Sequence, residues 1–300
     1  MKKSVSDITS EELSGLYPAG SWRILVGCAP CQPFSRYAHG LRRASDEKWN
    51  LLHHFGRLVE ELKPDVISME NVSELQRHSV FARFIERLET LDYEKTFSVV
   101  FCPDYGVPQC RRRLVLLASR LGPISIVSPT HTPDEYLAVR MAIGHLPKLA
   151  AGGVSKADAL HRSSRLSPLN MRRIRASQPG GTWRDWNPEL IAACHRKKKG
   201  ETYPSVYGRM EWDAPSPTIT TQFYGFGNGR FGHPDQDRAI SLREGSLLQT
   251  FSPDYQFVKP SGNYCFKTVG RLIGNAVPVR LGTIVGKTIA RHIQKMDVNP

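Results

Sequence analysis

The stretch Leu51-Leu-His-His-Phe55-Gly-Arg-Leu-Val59-Glu-Glu-Leu62-Lys-Pro64-Asp65-Val66-Ile-Ser-Met69 decides the fold class. Leu51, Leu52, Phe55, Leu58, Val59 and Leu62 recur at the spacing that lines one side of an α-helix. Pro64-Asp65 breaks that pattern, because proline lacks the amide a helix needs and restricts the residue before it. Val66-Ile-Ser-Met69 then starts a strand. Upstream, Arg23-Ile-Leu-Val-Gly-Cys28 reads as a short buried strand running into a Gly/Cys/Pro turn, so the unit is strand, helix, strand. A second helix from about Val80 to Leu91, a strand over Thr96–Cys102 and an apolar strand over Leu114–Ala118 continue the alternation. Alternation of this kind predicts an α/β sheet with its chemistry at the strand C-terminal ends.

The 300 residues, 40% of them hydrophobic, suffice for one large domain or two smaller ones. The 41 Lys and Arg against 28 Asp and Glu leave a formal net charge of +13, which suits a polyanionic partner. The longest apolar runs, Leu114–Ser119 and Ile273–Val279, fall far short of the ~20 residues that span a bilayer, which excludes a membrane helix. Lys2 and Lys3 are followed by Asp7, Glu11 and Glu12 instead of an apolar signal core, so a cytoplasmic protein is expected. Six cysteines without a regular framework argue for reduced thiols and against a disulfide scaffold. After about Leu146 the composition turns to Arg, Lys, Gly and Trp as far as about Pro215, which marks a second, smaller domain. Gly225-Phe-Gly-Asn-Gly229 beyond it reads as a flexible loop, and an apolar helix from about Leu281 to Ile293 closes the chain.

Five segments carry chemistry. The first, Gly27-Cys28-Ala29-Pro30-Cys31-Gln32-Pro33-Phe34-Ser35, follows a strand, and its prolines stiffen the turn around Cys31. Cys28-x-x-Cys31 also has the spacing of a redox pair or half a zinc site, although no second pair stands at ligand spacing. The second, Met69-Glu70-Asn71-Val72, ends a strand; a lone carboxylate there is ordinarily a surface charge or a cap. The third, Gly106-Val-Pro-Gln109-Cys-Arg111-Arg112-Arg113-Leu114, contains three successive arginines, a pattern that is most often a solvated basic patch. The fourth runs from Arg238 through Leu248-Gln249-Thr250-Phe251, and the fifth is Gly270-Arg-Leu-Ile-Gly274-Asn275-Ala276-Val-Pro278.

In this order, over nearly the whole chain, the five segments resemble the motifs of the DNA cytosine-5 methyltransferases. The resemblance implies a Rossmann-like sheet of the S-adenosylmethionine-dependent methyltransferases in an α/β catalytic domain, residues 1–150 and 267–300. A smaller target-recognition domain, residues 151–266, would accompany it. Cys31 would then attack C6 of a flipped cytosine in double-stranded DNA, and Glu70 would hydrogen-bond N3 and the exocyclic amine. Attack requires a thiolate, so positive charge near Cys31, from Arg111 or Arg113, is expected to lower its pKa from the reference of about 8.5. Arg111 and Arg113 would otherwise hold the pyrimidine O2 and order the catalytic loop and glutamate, as a guanidinium fork can. Gln32, Ser35 and Gln109 are implied DNA contacts. Ser6-Asp7-Ile8-Thr9 resembles the third family motif, so Asp7 and Ile8, with Leu51, Asn275 and Ala276, are implied cofactor contacts. Arg172, Arg173, Arg175 and the run Arg196-Lys197-Lys198-Lys199 would meet phosphates, Gly225–Gly229 would face DNA, and Thr218-Ile219-Thr220 resembles the family's threonine turn.

The sequence departs from the family before Cys31, where no strand and Gly-rich loop for the methyl donor can be matched. The sheet is therefore expected to be truncated at its N-terminal side, exposing a sheet edge and apolar helix faces. A complementing N-terminal polypeptide, a shortened chain and a DNA-binding remnant without catalysis are three explanations that sequence leaves open. Methylation of cytosine in RNA is a second enzymatic reading.

Overall fold

The computed structural model describes residues 3–28, 50–198, 200–258 and 263–298. By packing it divides into two compact units, one of Met1–Phe101, Arg112–Ser128 and Thr283–Pro300, the other of Cys102–Arg111 and Pro129–Gly282. No helix among the described residues is long and apolar enough to cross a membrane.

The first unit is an α/β layer. After α1 (Ser10–Ser14), capped by reciprocal Thr9 and Glu12 hydrogen bonds, come β1 (Ile24–Gly27), α2 (Asn50–Leu62), β2 (Val66–Asn71), α3 (Ser79–Thr90) and β3 (Glu94–Phe101). The chain returns to the sheet, after an excursion containing β4 (Gln109–Cys110), as β5 (Arg112–Ser119). The strand order is β1-β2-β5-β3, with β1 parallel to β2 and β5 antiparallel to both β2 and β3. Parallel neighbours need a crossover, and α2 supplies it between β1 and β2. β5 enters between β2 and β3, so the expected α/β sheet is mixed.

β2 is buried along nearly its full length, as a central strand covered on both faces should be. On one side Leu52, Phe55 and Val59 of α2 and Phe84 and Leu88 of α3 pack against Ile67 and Met69 of β2 and Leu114 and Leu116 of β5. On the other, Val66 and Leu117, the alternate residues of the same strands, meet Ile289 of α8 (Val279–Val298). β1 departs from the expected buried strand: it is the sheet edge, Ile24 and Leu25 are half-covered, and Val26 is 67% exposed. At its end a Cβ on Gly27 would stand 2.5 Å from the Phe55 ring, so the turn into Cys28 leaves no room for a side chain.

The second unit has little sheet, a two-residue parallel pair of β4 with β6 (Ser216–Pro217). Its main core joins α4 (Val139–Ile143), α6 (Leu242–Leu248) and α7 (Phe266–Asn275) around Phe223, Phe231 and Ile240. With this packing, residues 129–150 and 267–282 group with the second unit. A second cluster joins Ile174 of α5 (Pro168–Arg175) to Trp183, Trp186, Leu190 and Phe226. Phe226 anchors the Gly225–Gly229 run. A Cβ on Gly227 would meet Tyr207 at 2.9 Å and one on Gly229 would meet Phe231 at 2.5 Å, so these glycines serve close packing and the run is not the loose loop expected.

Candidate active site

Strand register explains how Glu70 and Arg113 meet. Glu70 stands opposite Val115 across the β2–β5 ladder, and Arg113 lies two residues from Val115, on the same face as Glu70 and within diagonal reach. Arg113 Nε is 2.8 Å from Glu70 Oε1, with the two side chains 14% and 13% exposed. The contact is an ion pair without hydrogen-bond alignment, for Oε1 is buried and receives no hydrogen bond among the described residues. The other oxygen, Oε2, accepts from the Cys28 thiol at 2.9 Å. Cys28 therefore touches the candidate carboxylate. Arg112 points to the opposite face and lies over the Phe101 ring, 4.6 Å from its centroid.

Gln109 and Arg111 form a separate cluster within the second unit. Gln109 is completely buried: Nε2 donates to Leu248 O at 3.1 Å and to Gln249 Oε1 at 2.9 Å, while Oε1 accepts from Ile219 N at 2.9 Å. With its carboxamide spent inside the unit, Gln109 is placed as an internal clamp and not as the DNA contact expected of it. Arg111, 4% exposed, donates to Ile219 O at 3.1 Å and to Gln109 Oε1 at 3.4 Å. The Thr218–Thr220 turn locks onto the same segment. Thr218 Oγ1 donates to Cys110 O at 2.7 Å, and a Cβ on Gly274 of α7 would lie 2.2 Å from Thr220 O.

Against this geometry, the model of the C-5 cytosine-specific DNA methylases matches residues 1–291. The chain belongs to that family. This methylase is 56% identical to the type II methylase M.HgiDII of Herpetosiphon aurantiacus, over 98% of this chain and 83% of that one. It is 31% identical to the type II methyltransferase M1.HphI of Haemophilus parahaemolyticus, over 92% and 69% of the two chains. Among solved structures it is similar in fold to one described as a DNA modification methyltransferase encoded within an E. coli prophage. The TM-score is 0.70 at 19% identity, over 97% of this chain and 85% of that one.

The remaining expected residues of the methylase divide by placement. Cys31, Gln32 and Ser35 lie outside the described residues. Asp7 is exposed, Ile8 is half-buried with its carbonyl accepting from Arg57 of α2 at 2.7 Å, and Leu51 is half-buried in the first turn of α2. Asn275 ends α7 and is exposed; the next residue, Ala276, is half-buried.

Of the basic residues, Arg196, Lys197 and Lys198 are exposed, on a turn held by His195, whose ring stacks on Trp183 at 4.4 Å and 9°. Arg172 is paired with Glu189 and Arg175 with Asp237. Arg173 does not fit the expected phosphate contact: it is buried, donates to Leu190 O at 2.9 Å and lies over Trp186 and Tyr207. Sequence reasoning missed Gln249 and the Cys28 thiol as partners of this machinery. Gln249 did carry a signal, a lone amide at the end of an apolar helix.

Proposed function

We propose that this methylase transfers a methyl group from S-adenosylmethionine to C5 of a cytosine turned out of double-stranded DNA, as the modification half of a restriction–modification system. The observation that carries the reading is Glu70. Its carboxylate is oriented by Arg113 and Cys28, yet Oε1, ion-paired with Arg113, accepts no aligned hydrogen bond among the described residues, and a cytosine edge offers an exocyclic N–H next to N3. Addition of the Cys31 thiolate at C6 pushes charge onto N3, where a carboxyl sharing its proton relieves it. Carbon C5 then takes the methyl group, the C5 proton leaves to a base, and the Cys31–C6 bond breaks to release the thiolate.

Five residues would hold the methyl donor. Within the first unit the side-chain chemistry fits an adenosyl group: Asp7 offers an exposed carboxylate to hydroxyl or amine donors, and Ile8 and Leu51 offer partly exposed apolar groups. In the second unit, Asn275 has an exposed amide and Ala276 a small side chain at the end of α7. When bound, S-adenosylmethionine supplies the electrophilic methyl. The exposed Arg196, Lys197 and Lys198 supply backbone affinity for the duplex and no sequence choice.

Calorimetry with S-adenosylmethionine, run beside labelled methyl transfer to cytosine-containing duplex, tests the reading. The wild-type chain is expected to bind and transfer, and Cys31→Ser to bind duplex but form no covalent adduct with duplex carrying 5-fluorocytosine. An adduct that survives the substitution overturns Cys31 as nucleophile. Duplex binding with neither cofactor binding nor transfer would replace the reading with a DNA-binding chain that needs a complementing N-terminal polypeptide.

A further inference from the structure

Gln249, just beyond α6, is completely buried, and its carboxamide has only one workable direction. Its Nε2 lies 2.8 Å from Ile273 O and 3.1 Å from Ala276 O. A carbonyl oxygen can only accept, so the NH2 end must face that way. Oε1 is then turned to Gln109, whose Nε2 donates to it at 2.9 Å. Gln109 is directed in its turn, its NH2 toward Gln249 and Leu248 O, its carbonyl toward Arg111 Nη1 and Ile219 N. The relay closes on itself, because Arg111 Nη2 reaches the same Ala276 carbonyl, at 3.5 Å, from which it began.

We propose that Gln249 is a positioning residue for methyl transfer: it sets the direction of the Gln109 carboxamide and, through it, the aim of the Arg111 guanidinium. The inference rests on the reading above, together with the role that the family resemblance implies for Arg111, holding the pyrimidine O2. Were Gln109 to flip, its NH2 would confront two other donors, Arg111 Nη1 and Ile219 N. Arg111 is 4% exposed, so water cannot replace a lost acceptor cheaply and the guanidinium must move. An apolar side chain at 249 could fill the same volume, but it could not specify which way Gln109 points.

A double-mutant cycle on the full chain separates positioning from packing: wild type, Gln249→Met, Arg111→Met and the double variant, each checked for its unfolding midpoint. The readouts are the single-turnover rate of methyl transfer at saturating duplex and S-adenosylmethionine, and the duplex Kd. Gln249→Met is expected to slow transfer about 10- to 100-fold with duplex Kd changed less than about 3-fold. In the Arg111→Met background the same substitution should cost less than about 3-fold, because its route of action is already gone. Equal losses in the two backgrounds, or wild-type transfer by Gln249→Met, overturn the assignment. Gln249→Glu runs in parallel: it matches the native size, keeps the acceptor for Gln109 and loses the donor end, so a packing defect in the methionine variant does not decide the outcome. An Arg111→Met protein that transfers at the wild-type rate would instead count against the role of Arg111 itself.

Discussion

Arg238 and Glu244 meet through two contacts of 2.7 Å with the side chains 0% and 1% exposed, whereas Arg113 and Glu70 meet through one contact of 2.8 Å at 14% and 13%. Both oxygens of Glu244 are already hydrogen-bonded. Oε1 takes Arg238 Nη2, Oε2 takes Arg238 Nη1 and, at 2.6 Å, the Ser241 amide that the same carboxylate caps at the start of α6. Burial works against its charge, but the hydrogen bonds and charge of Arg238 hold its carboxyl below the usual range. Glu70 keeps a buried oxygen with no hydrogen bond among the described residues. A pair with both oxygens engaged and almost no exposed surface is placed to hold the fold together. An unsaturated pair carries a standing cost in stability, which a base that brings its own donor would relieve.

Two substitutions test that contrast from opposite ends. Glu70→Gln is expected to slow methyl transfer ~10²- to 10⁴-fold, the range of a positioned acid–base group, with little movement of the unfolding midpoint. Wild-type transfer by that variant would remove the chemical half of the contrast. Arg238→Met should do the reverse, costing about 3–5 kcal/mol of stability because Glu244 is left buried without its partner, while the rate per folded molecule holds. Denaturant unfolding beside single-turnover transfer separates the two; a stable Arg238→Met protein with impaired transfer would place Arg238 in the machinery after all.

The sequence made the first unit more legible than the second. Helix periodicity at Leu52, Phe55 and Val59 and the apolar run Val66–Met69 report burial directly, because a sheet covered on both faces demands both patterns. β1 read as buried for the same reason, yet composition carries no record of a strand's position in its sheet, and Val26 faces solvent. In the second unit the order comes from single polar contacts between residues far apart in sequence. Gln109 bonds residues 139 and 140 positions away, and Arg173 and Arg238 are buried although arginine is ordinarily a surface residue. No local pattern announces such contacts, so Gln109 was assigned to DNA by motif resemblance and Arg173 by its charge, and neither signal reports the internal partners each has.

Acid should reach the saturated pair through its neighbour. Burial pushes His233 down to about 4, with Glu244 and Asp235 drawing it up and Arg238 and Arg209 pressing it further down. Its Nε2 stands 3.7 Å from Glu244 Oε1, and Nδ1 accepts from the Asp235 and Gln236 amides. The unfolded chain takes up a proton on this imidazole near pH 6.5, and the folded chain refuses it until about 4. The unfolded state therefore binds more protons between those values, and stability falls as pH is lowered through the window. From pH 7 to pH 5 the loss should be about 2 kcal/mol, before Glu244, which loses its contribution only below its ordinary range, takes part. Urea unfolding at the two pH values measures it, with His233→Gln as the control that should remove most of the slope. A wild-type slope retained in that variant would assign the acid sensitivity to another group and leave Arg238 and Glu244 indifferent to their histidine.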